Sequence, residues 1–417
     1  MKYAITLCLL CCTLPVHALP YGWDFRTEAK AHYRYSQDNR YPTAFPPGSA
    51  HETVMPGHFM EISNIALMGS WVPVDKLLFS IKVDVVDLYE RNPTSSDYQV
   101  SVDSWIIRYG TRHSQGLLAE NTDFYLQLGK FGKFERQEDR HLESYGLLST
   151  AFNRLEDSGI ETGLELPSGL YARLSYTTGN PVFIRDPNAL AGDNGVIASN
   201  ADADISHGIS ILYDAEVEDL NLKRTPETGL GLGWRWLGND AASRVNVLLF
   251  AYQRDLADST RLNGSFYRAD LDILEINNLV PGAELPVSHD RKKELGSNLW
   301  WYHQRLSLFL QLVHQDIAGL KRDGAELELA YALDIPHFHR LIPALRYSRL
   351  DNHFKAGPSY PAPSVAWDWQ KWDIGVNLDV TADLRLTAEY AINRFQRNGK
   401  TEDNNEFLLT LRWRFVL

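Results

Sequence analysis

Alternation is the feature that most narrows what this chain can fold into. Glu406 to Leu417 reads EFLLTLRWRFVL. Phe407, Leu409, Leu411, Trp413, Phe415 and Leu417 share one face; Leu408, Thr410, Arg412, Arg414 and Val416 share the other. Near the opposite end, Asp24 to Tyr35 reads DFRTEAKAHYRY. One parity holds Phe25, Thr27, Ala29, Ala31, Tyr33 and Tyr35, the other Arg26, Glu28, Lys30, His32 and Arg34. A period of two is a strand, whereas a helix would set its apolar residues three and four apart. One such strand decides little, because soluble antiparallel sheets also alternate. The repetition decides more. Similar runs fall near 59–72, 77–89, 99–110, 122–131, 159–167, 169–178, 208–218, 228–238, 244–255, 294–304, 305–316, 324–334, 341–350, 370–380 and 384–395.

The connections between runs fall into two kinds. Pro73 to Lys76, Pro167 to Gly169, Leu237 to Ser243 and Thr381 to Asp383 suit tight hairpin turns. Arg91 to Asp97 and the stretches 180–207, 257–291 and 352–367 are long and polar. Short turns on one side and long loops on the other are what a membrane barrel produces. The runs number about 17, and bacterial single-chain barrels have even strand numbers. The expected fold class is therefore all-β, a transmembrane antiparallel β-barrel of 16 or 18 strands. The loop 257–291 also carries Leu271, Ile273, Leu274, Ile276, Leu279 and Val280, which are costly in free solvent. Either it caps the pore or it hides another strand.

The N-terminus fits export. Lys2 precedes the apolar stretch Ala4 to Val16, and Val16-His17-Ala18 suits a cut after Ala18. Residues 1–18 are expected to be a signal peptide and residues 19–417 the barrel. Cys8, Cys11 and Cys12, the three cysteines, would leave with the peptide. A large exported chain without disulfides needs another scaffold, and closed-sheet hydrogen bonding supplies one. The mean hydropathy of -0.30 hides the alternation, because half of each strand would meet lipid and half water. A pI near 5.6 with no basic cluster argues against nucleic-acid binding. Trp71, Trp105, Trp234, Trp236, Trp300, Trp301, Trp372 and Trp413 lie near strand ends, where interfacial girdles form.

Together, leader, alternating strands and final strand resemble Gram-negative outer-membrane β-barrel porins. In that group the chain usually ends on an aromatic residue. Here Trp413 and Phe415 fit, but the last residue is Leu417. The segments Phe124 to Phe134 (FYLQLGKFGKF), Leu345 to Asp351 (LRYSRLD) and Trp372 to Tyr390 are similar to parts of substrate-selective porins, the phosphate-selective type in particular. A second resemblance is to alginate-export-type barrels, carried by an Arg-rich lumen and the closing Arg412-Trp413-Arg414-Phe415.

If the apolar parity faces lipid, the other parity lines the lumen. Closure would pair the first and last strands. One wall sector then collects Arg26, Lys30, Arg34, Arg385, Arg412 and Arg414. Arginine forks suit phosphates and carboxylates. The same parity also carries Asp84, Asp103, Glu161, Glu165, Asp214, Glu216, Glu326, Glu328 and Glu389. Two readings stay open: a sector that guides anions, or a solvated lumen with charges neutralised in pairs. The second candidate site is the loop 130–156, dense in both signs, which either sets the constriction or stays outside. Its Lys130, Lys133, Arg136 and Arg140 balance Glu135, Glu138, Asp139 and Glu143.

Catalytic and metal signals are weak. Ser288-His289-Asp290 are consecutive, and real triads assemble across space. His337-x-His339 sits in an expected turn. Asp202-x-Asp204-x-Ser206 starts like a calcium loop but has His207 where glycine is required. No catalytic residue, metal or cofactor is expected, and the chain is read as a non-enzyme. The expected function is passive diffusion of small hydrophilic solutes, with anions as candidate cargo. Export of an anionic exopolysaccharide and a barrel enzyme acting on lipid or envelope polymer are the alternatives. Expected partners are outer-membrane lipid and lipopolysaccharide, the barrel-assembly machinery, small hydrophilic solutes and two further copies in a homotrimer.

Overall fold

A computed structural model describes residues 22–37, 41–42, 50–51, 57–87, 100–112, 118–137, 139–144, 146–152, 156–179, 226–239, 242–256, 285–286, 288–355, 366–397 and 399–416. The strand expected at 208–218, the leader and most of the loops 91–97, 180–207, 257–291 and 352–367 lie outside these residues. So do Glu138, Asp202, Asp204, Asp214 and Glu216.

The first half of the barrel is β1 (Trp23–Ser36), β4 (Gly57–Val74), β5 (Leu77–Asp87), β6 (Ser101–Gly110), β7 (Asp123–Gly132), β8 (Glu156–Glu165), β9 (Leu170–Thr177) and β10 (Glu227–Leu237). The second is β11 (Ser243–Asp255), β12 (Arg291–His303), β13 (Leu306–Ile317), β14 (Leu320–Tyr331), β15 (Arg340–Asn352), β16 (Trp369–Asp379), β17 (Leu384–Arg397) and β18 (Lys400–Val416). Each pairs antiparallel with its neighbours, and β1 pairs with β18 from Arg26↔Val416 to Ser36↔Glu406. The result is one closed ring of 16 strands. A separate two-residue ribbon joins β2 (Tyr41–Pro42) to β3 (Ala50–His51). Closure leaves no edge strand in the ring, so each of its strands is hydrogen-bonded to a neighbour on both sides.

The rims are unequal. The links β4–β5, β8–β9, β10–β11, β12–β13, β14–β15 and β16–β17 all lie at one end and are short. The longest connections leave the other rim, which in bacterial barrels is the extracellular one. Two links there, at Ala318–Gly319 and between Arg397 and Lys400, are also tight.

The two faces follow the alternation. Leu249, Leu295, Leu312, Ile374 and Leu411 are exposed on the outside. An apolar outer band of this kind belongs in hydrocarbon, not water. Near the short-turn rim, Trp23 stacks on Trp71 at 5.1 Å and Trp71 on Phe79 at 5.3 Å. Trp234, Trp236, Trp301 and Trp413 are exposed toward the same end. Trp300 departs from the girdle expectation. It is 1% exposed and faces inward, beside Phe309 at 5.4 Å. The parity of β12 dictates this, because Trp300 and Trp301 are adjacent and must point to opposite faces.

Candidate functional site

The lumen is occupied by the segment between β7 and β8. Gly132 pairs directly with Glu156, so a tight hairpin would have closed this link. Instead the chain leaves at Lys133, crosses inside the barrel and forms one helical turn, α1 (Leu147–Ala151), against β14, β15 and β16. Phe134, Leu147, Leu148, Ala151 and Phe152 pack into one cluster with Leu248, Phe250, Trp300, Phe309, Val313 and Trp369. The inner wall from β11 to β17 therefore carries an apolar patch beneath the loop. Lumen residues would otherwise be wetted, so the cluster exists only because the loop covers it.

Wall glycines make the seats. A Cβ at Gly231 would stand 2.8 Å from the Phe134 ring, at Gly324 2.6 Å from the Phe152 ring, and at Gly375 2.5 Å from Leu142. All three lie on the inward parity of their strands. Gly324→Leu is expected to expel α1 rather than unfold the ring, since overpacking typically costs about 1–3 kcal/mol. The check is protease cleavage within 134–152 alongside unchanged strand content by circular dichroism.

Polar bonds fix the loop's position. Tyr252 donates to the Glu135 carboxylate at 2.5 Å, and Asn298 donates to the Glu135 carbonyl at 2.6 Å. Gln137 and the His141 amide both donate to Glu328, at 3.1 and 3.0 Å. Asn377 donates to the His141 carbonyl at 2.7 Å, and Arg322 to the Ala151 carbonyl at 2.5 Å. The densest knot is at Ser144. Arg346 donates to its carbonyl at 2.7 Å and its hydroxyl at 2.9 Å, and the hydroxyl donates to Glu389. The Glu143 and Ser144 amides donate to Glu389 at 2.9 and 3.2 Å. Arg346 also binds Asp373 at 2.8 Å, and Lys371 binds Asp373 at 3.0 Å.

The six cations of the expected basic sector all sit on inward parity of β1, β17 and β18, close together by register. Each faces an acid. Arg26 pairs with Asp24 at 2.7 Å near the mouth, Lys30 with Glu28 at 3.5 Å and Glu143 at 3.3 Å, and Arg34 with Glu406 at 3.3 Å. Arg385 pairs with Asp379 at 2.5 Å, Arg412 with Glu143 at 3.7 Å, and Arg414 with Glu28. Glu143, from the loop, is the member the strand pattern alone does not supply.

Burial raises the Glu143 carboxyl, but Lys30, Arg412, Arg140 and His32 outweigh it and hold it below the ordinary carboxylate range. A depressed carboxyl stabilises the fold above its unfolded value and loses that contribution as pH falls through its folded value. The tether should thus hold at pH 5–7 and weaken only below about 4.3, the ordinary glutamate value. Loop proteolysis that rises between pH 7 and 5 would contradict this. Glu143→Gln should loosen the tether at neutral pH.

The other candidate residues divide. Lys133 is buried against Glu227, with its ammonium 4.4 Å from the Tyr252 ring centre. Burial lowers its pKa, but Glu227, Glu294, Asp157 and Glu135 raise it more. Arg136 pairs with Glu156, Glu135 is held as described, and Asp139 accepts from Tyr302. Lys130 does not join them. It shares the outward parity of Phe124, Leu126 and Leu128 and donates to the Val102 carbonyl at 3.0 Å. The inward-folded part starts after β7, not at residue 130.

Between the loop and the β6–β7 wall lies a cavity of about 330 Å³. Its lining includes Arg112, Lys133, Arg136, Arg140, Gln127, Gln137 and Ser149. Among the described residues its lining holds four cations and no carboxylate. Arg112 and Arg136 are neutralised by Glu161, at 3.3 Å, and Glu156, which are not part of the lining. Sequence reading missed Arg112, which follows β6 with no alternation to flag it.

No protein-family model and no curated protein sequence matches this chain. Its fold has counterparts among solved structures. OprB of Pseudomonas putida superposes with a TM-score of 0.53 at 10% identity, covering 94% of each chain. The outer membrane channel DcaP of Acinetobacter baumannii gives 0.52 at 9% identity, over 96% of this chain and 100% of that one. OmpF of Salmonella typhi, in complex with daunomycin, gives 0.50 at 10% identity, over 94% and 97%. Identities this low concern the fold, an outer-membrane porin-type barrel.

Proposed function

We propose that this chain is an outer-membrane porin that lets small hydrophilic solutes diffuse passively, with a preference for anions. The observation that carries the reading is the cavity beside the inward-folded loop, lined by Arg112, Lys133, Arg136 and Arg140 with no acid among its described residues. Selectivity in such a pore comes from radius and wall charge. The loop narrows the passage, and the half-buried Arg112, Arg136 and Arg140 on its flank set the charge an entering solute meets there. The paired ladder on β1, β17 and β18 then acts as a polar wall of largely cancelled charge: Arg26, Lys30, Arg34, Arg385, Arg412 and Arg414 share the five acids Asp24, Glu28, Glu143, Asp379 and Glu406.

The test is a planar bilayer with a potassium chloride gradient. The reversal potential is expected to show anion preference. The triple change Arg112→Gln, Arg136→Gln, Arg140→Gln should move it toward cations. Cation preference in the unchanged protein would overturn the anion assignment. Absence of steady channels would overturn the pore itself, and hydrolysis of phospholipid in detergent would point to an enzyme instead. The leader belongs to the same proposal: N-terminal sequencing of the mature protein should begin at Leu19.

A further inference from the structure

The outer wall is not uniformly apolar. Across β11 to β15, the register sets outward residues in rungs near the long-loop rim. The uppermost rung is Gln253, Lys293, Asp316 and Lys321, and the next is Ala251, Leu295, His314, Asp323 and Asp351. The third is Leu249, Ser297, Leu312, Ala325 and Arg349. Arg349 reaches back up to Asp351 at 2.8 Å. The wall thus changes from charged to apolar over two rungs, roughly 7 Å apiece.

Two hollows of about 550 and 600 Å³ straddle this boundary and share Leu295 and His314. They exist because Ala251, Ser297 and Ala325 are small where Leu249, Leu295 and Leu312 stand as ridges. An empty hollow facing hydrocarbon forfeits dispersion contacts, so something flexible and apolar must fill it. The charges above it are unevenly matched. Asp323 is held by His314 and His353, both at 2.6 Å. Asp316 receives the Gly319 amide at 2.8 Å and lies 3.2 Å from His289. Lys293 and Lys321, on either side of Asp316, have no acidic partner within 4 Å among the described residues.

We infer that this outer face is a binding site for one phosphorylated glycolipid of the outer leaflet, of the lipid A class. Its phosphate bridges the Lys293 and Lys321 ammonium groups, and an acyl chain lies in the hollow over Ser297 and Ala325. Two cations without partners complement a phosphate dianion at the membrane interface. A free phosphate would leave the hollow unfilled. A lipid without phosphate would leave the lysines unmatched. The site lies outside the lumen and is independent of what the pore conducts.

Native mass spectrometry of the purified barrel in detergent tests it, with added bisphosphorylated lipid A, its dephosphorylated form and phosphatidylglycerol. One lipid A is expected to be retained, with affinity about thirtyfold lower for the dephosphorylated form. Lys293→Glu with Lys321→Glu should lose at least as much. Ala325→Trp, which fills the hollow without touching charge, should also weaken retention. Channel conductance should not change in either variant. Equal retention by the double variant, or phosphatidylglycerol held as tightly as lipid A, would overturn the assignment.

Discussion

Replacing residues 134–153 with a short glycine-serine turn is expected to raise single-channel conductance several-fold while the barrel stays closed. The geometry permits it, because Gly132 and Glu156 already face each other across the ladder. The ring does not depend on the loop, since every strand is hydrogen-bonded on both sides. What the change removes is the filling. Burial of Phe134, Leu147, Leu148 and Phe152 stabilises the inward position by about 1.5–3 kcal/mol each, as an upper bound. The wall beneath, with Phe250, Trp300 and Trp369, would then meet water. The truncated barrel should therefore also bind a fluorescent apolar dye that the intact one excludes. Unchanged conductance with normal heat-modifiable migration on gels would show that the passage runs elsewhere.

The ring itself was legible because strands that separate lipid from water must alternate, and period two survives without any tertiary knowledge. The strands expected within the described residues all coincide with members of the ring. The parity of β1 and β18 likewise placed Lys30, Arg34 and Arg412 inside. The inner apolar wall escaped for a physical reason. An inward residue is normally polar, so Leu248 and Phe250 beside Leu249 blur the alternation rather than extend it. The signal was there as apolar residues on both parities, which means a strand buried on both faces. The inward glycines at 231, 324 and 375 were a second sign, because a side chain missing from a wall marks the close approach of another segment. Lys130 was misplaced by composition. It reads as part of a charged loop, although Phe124, Leu126 and Leu128 already assign its parity to the outside. The partners of the basic sector were half legible. Glu28 and Glu406 lie on the strands themselves, but Glu143 arrives from a loop whose path no periodicity specifies.

Arg346→Met is expected to unlatch the loop more completely than any other single substitution. Arg346 is fully buried, and it binds Asp373 at 2.8 Å and lies 3.7 Å from Glu328. Glu326 and Glu389 are buried in the same knot, where the remaining cation is Lys371. Among the described residues the wall therefore carries four acidic side chains and two cations at this point, and removing one cation leaves Lys371 alone to balance them. Breaking a buried pair on one side typically costs about 3–5 kcal/mol. The strands cannot yield, because their ladders close the ring; the loop can. Moving Ser144 away admits water to Asp373 and Glu389, which is the cheapest relief available. Arg346→Met should thus raise conductance toward that of the truncated barrel and open residues 134–152 to protease. Arg346→Lys keeps the charge but loses the fork that holds the Ser144 carbonyl and hydroxyl together. It should flicker between the two conductance levels instead of resting in the open one. Stable wild-type currents in Arg346→Met would show that the apolar cluster alone holds the loop.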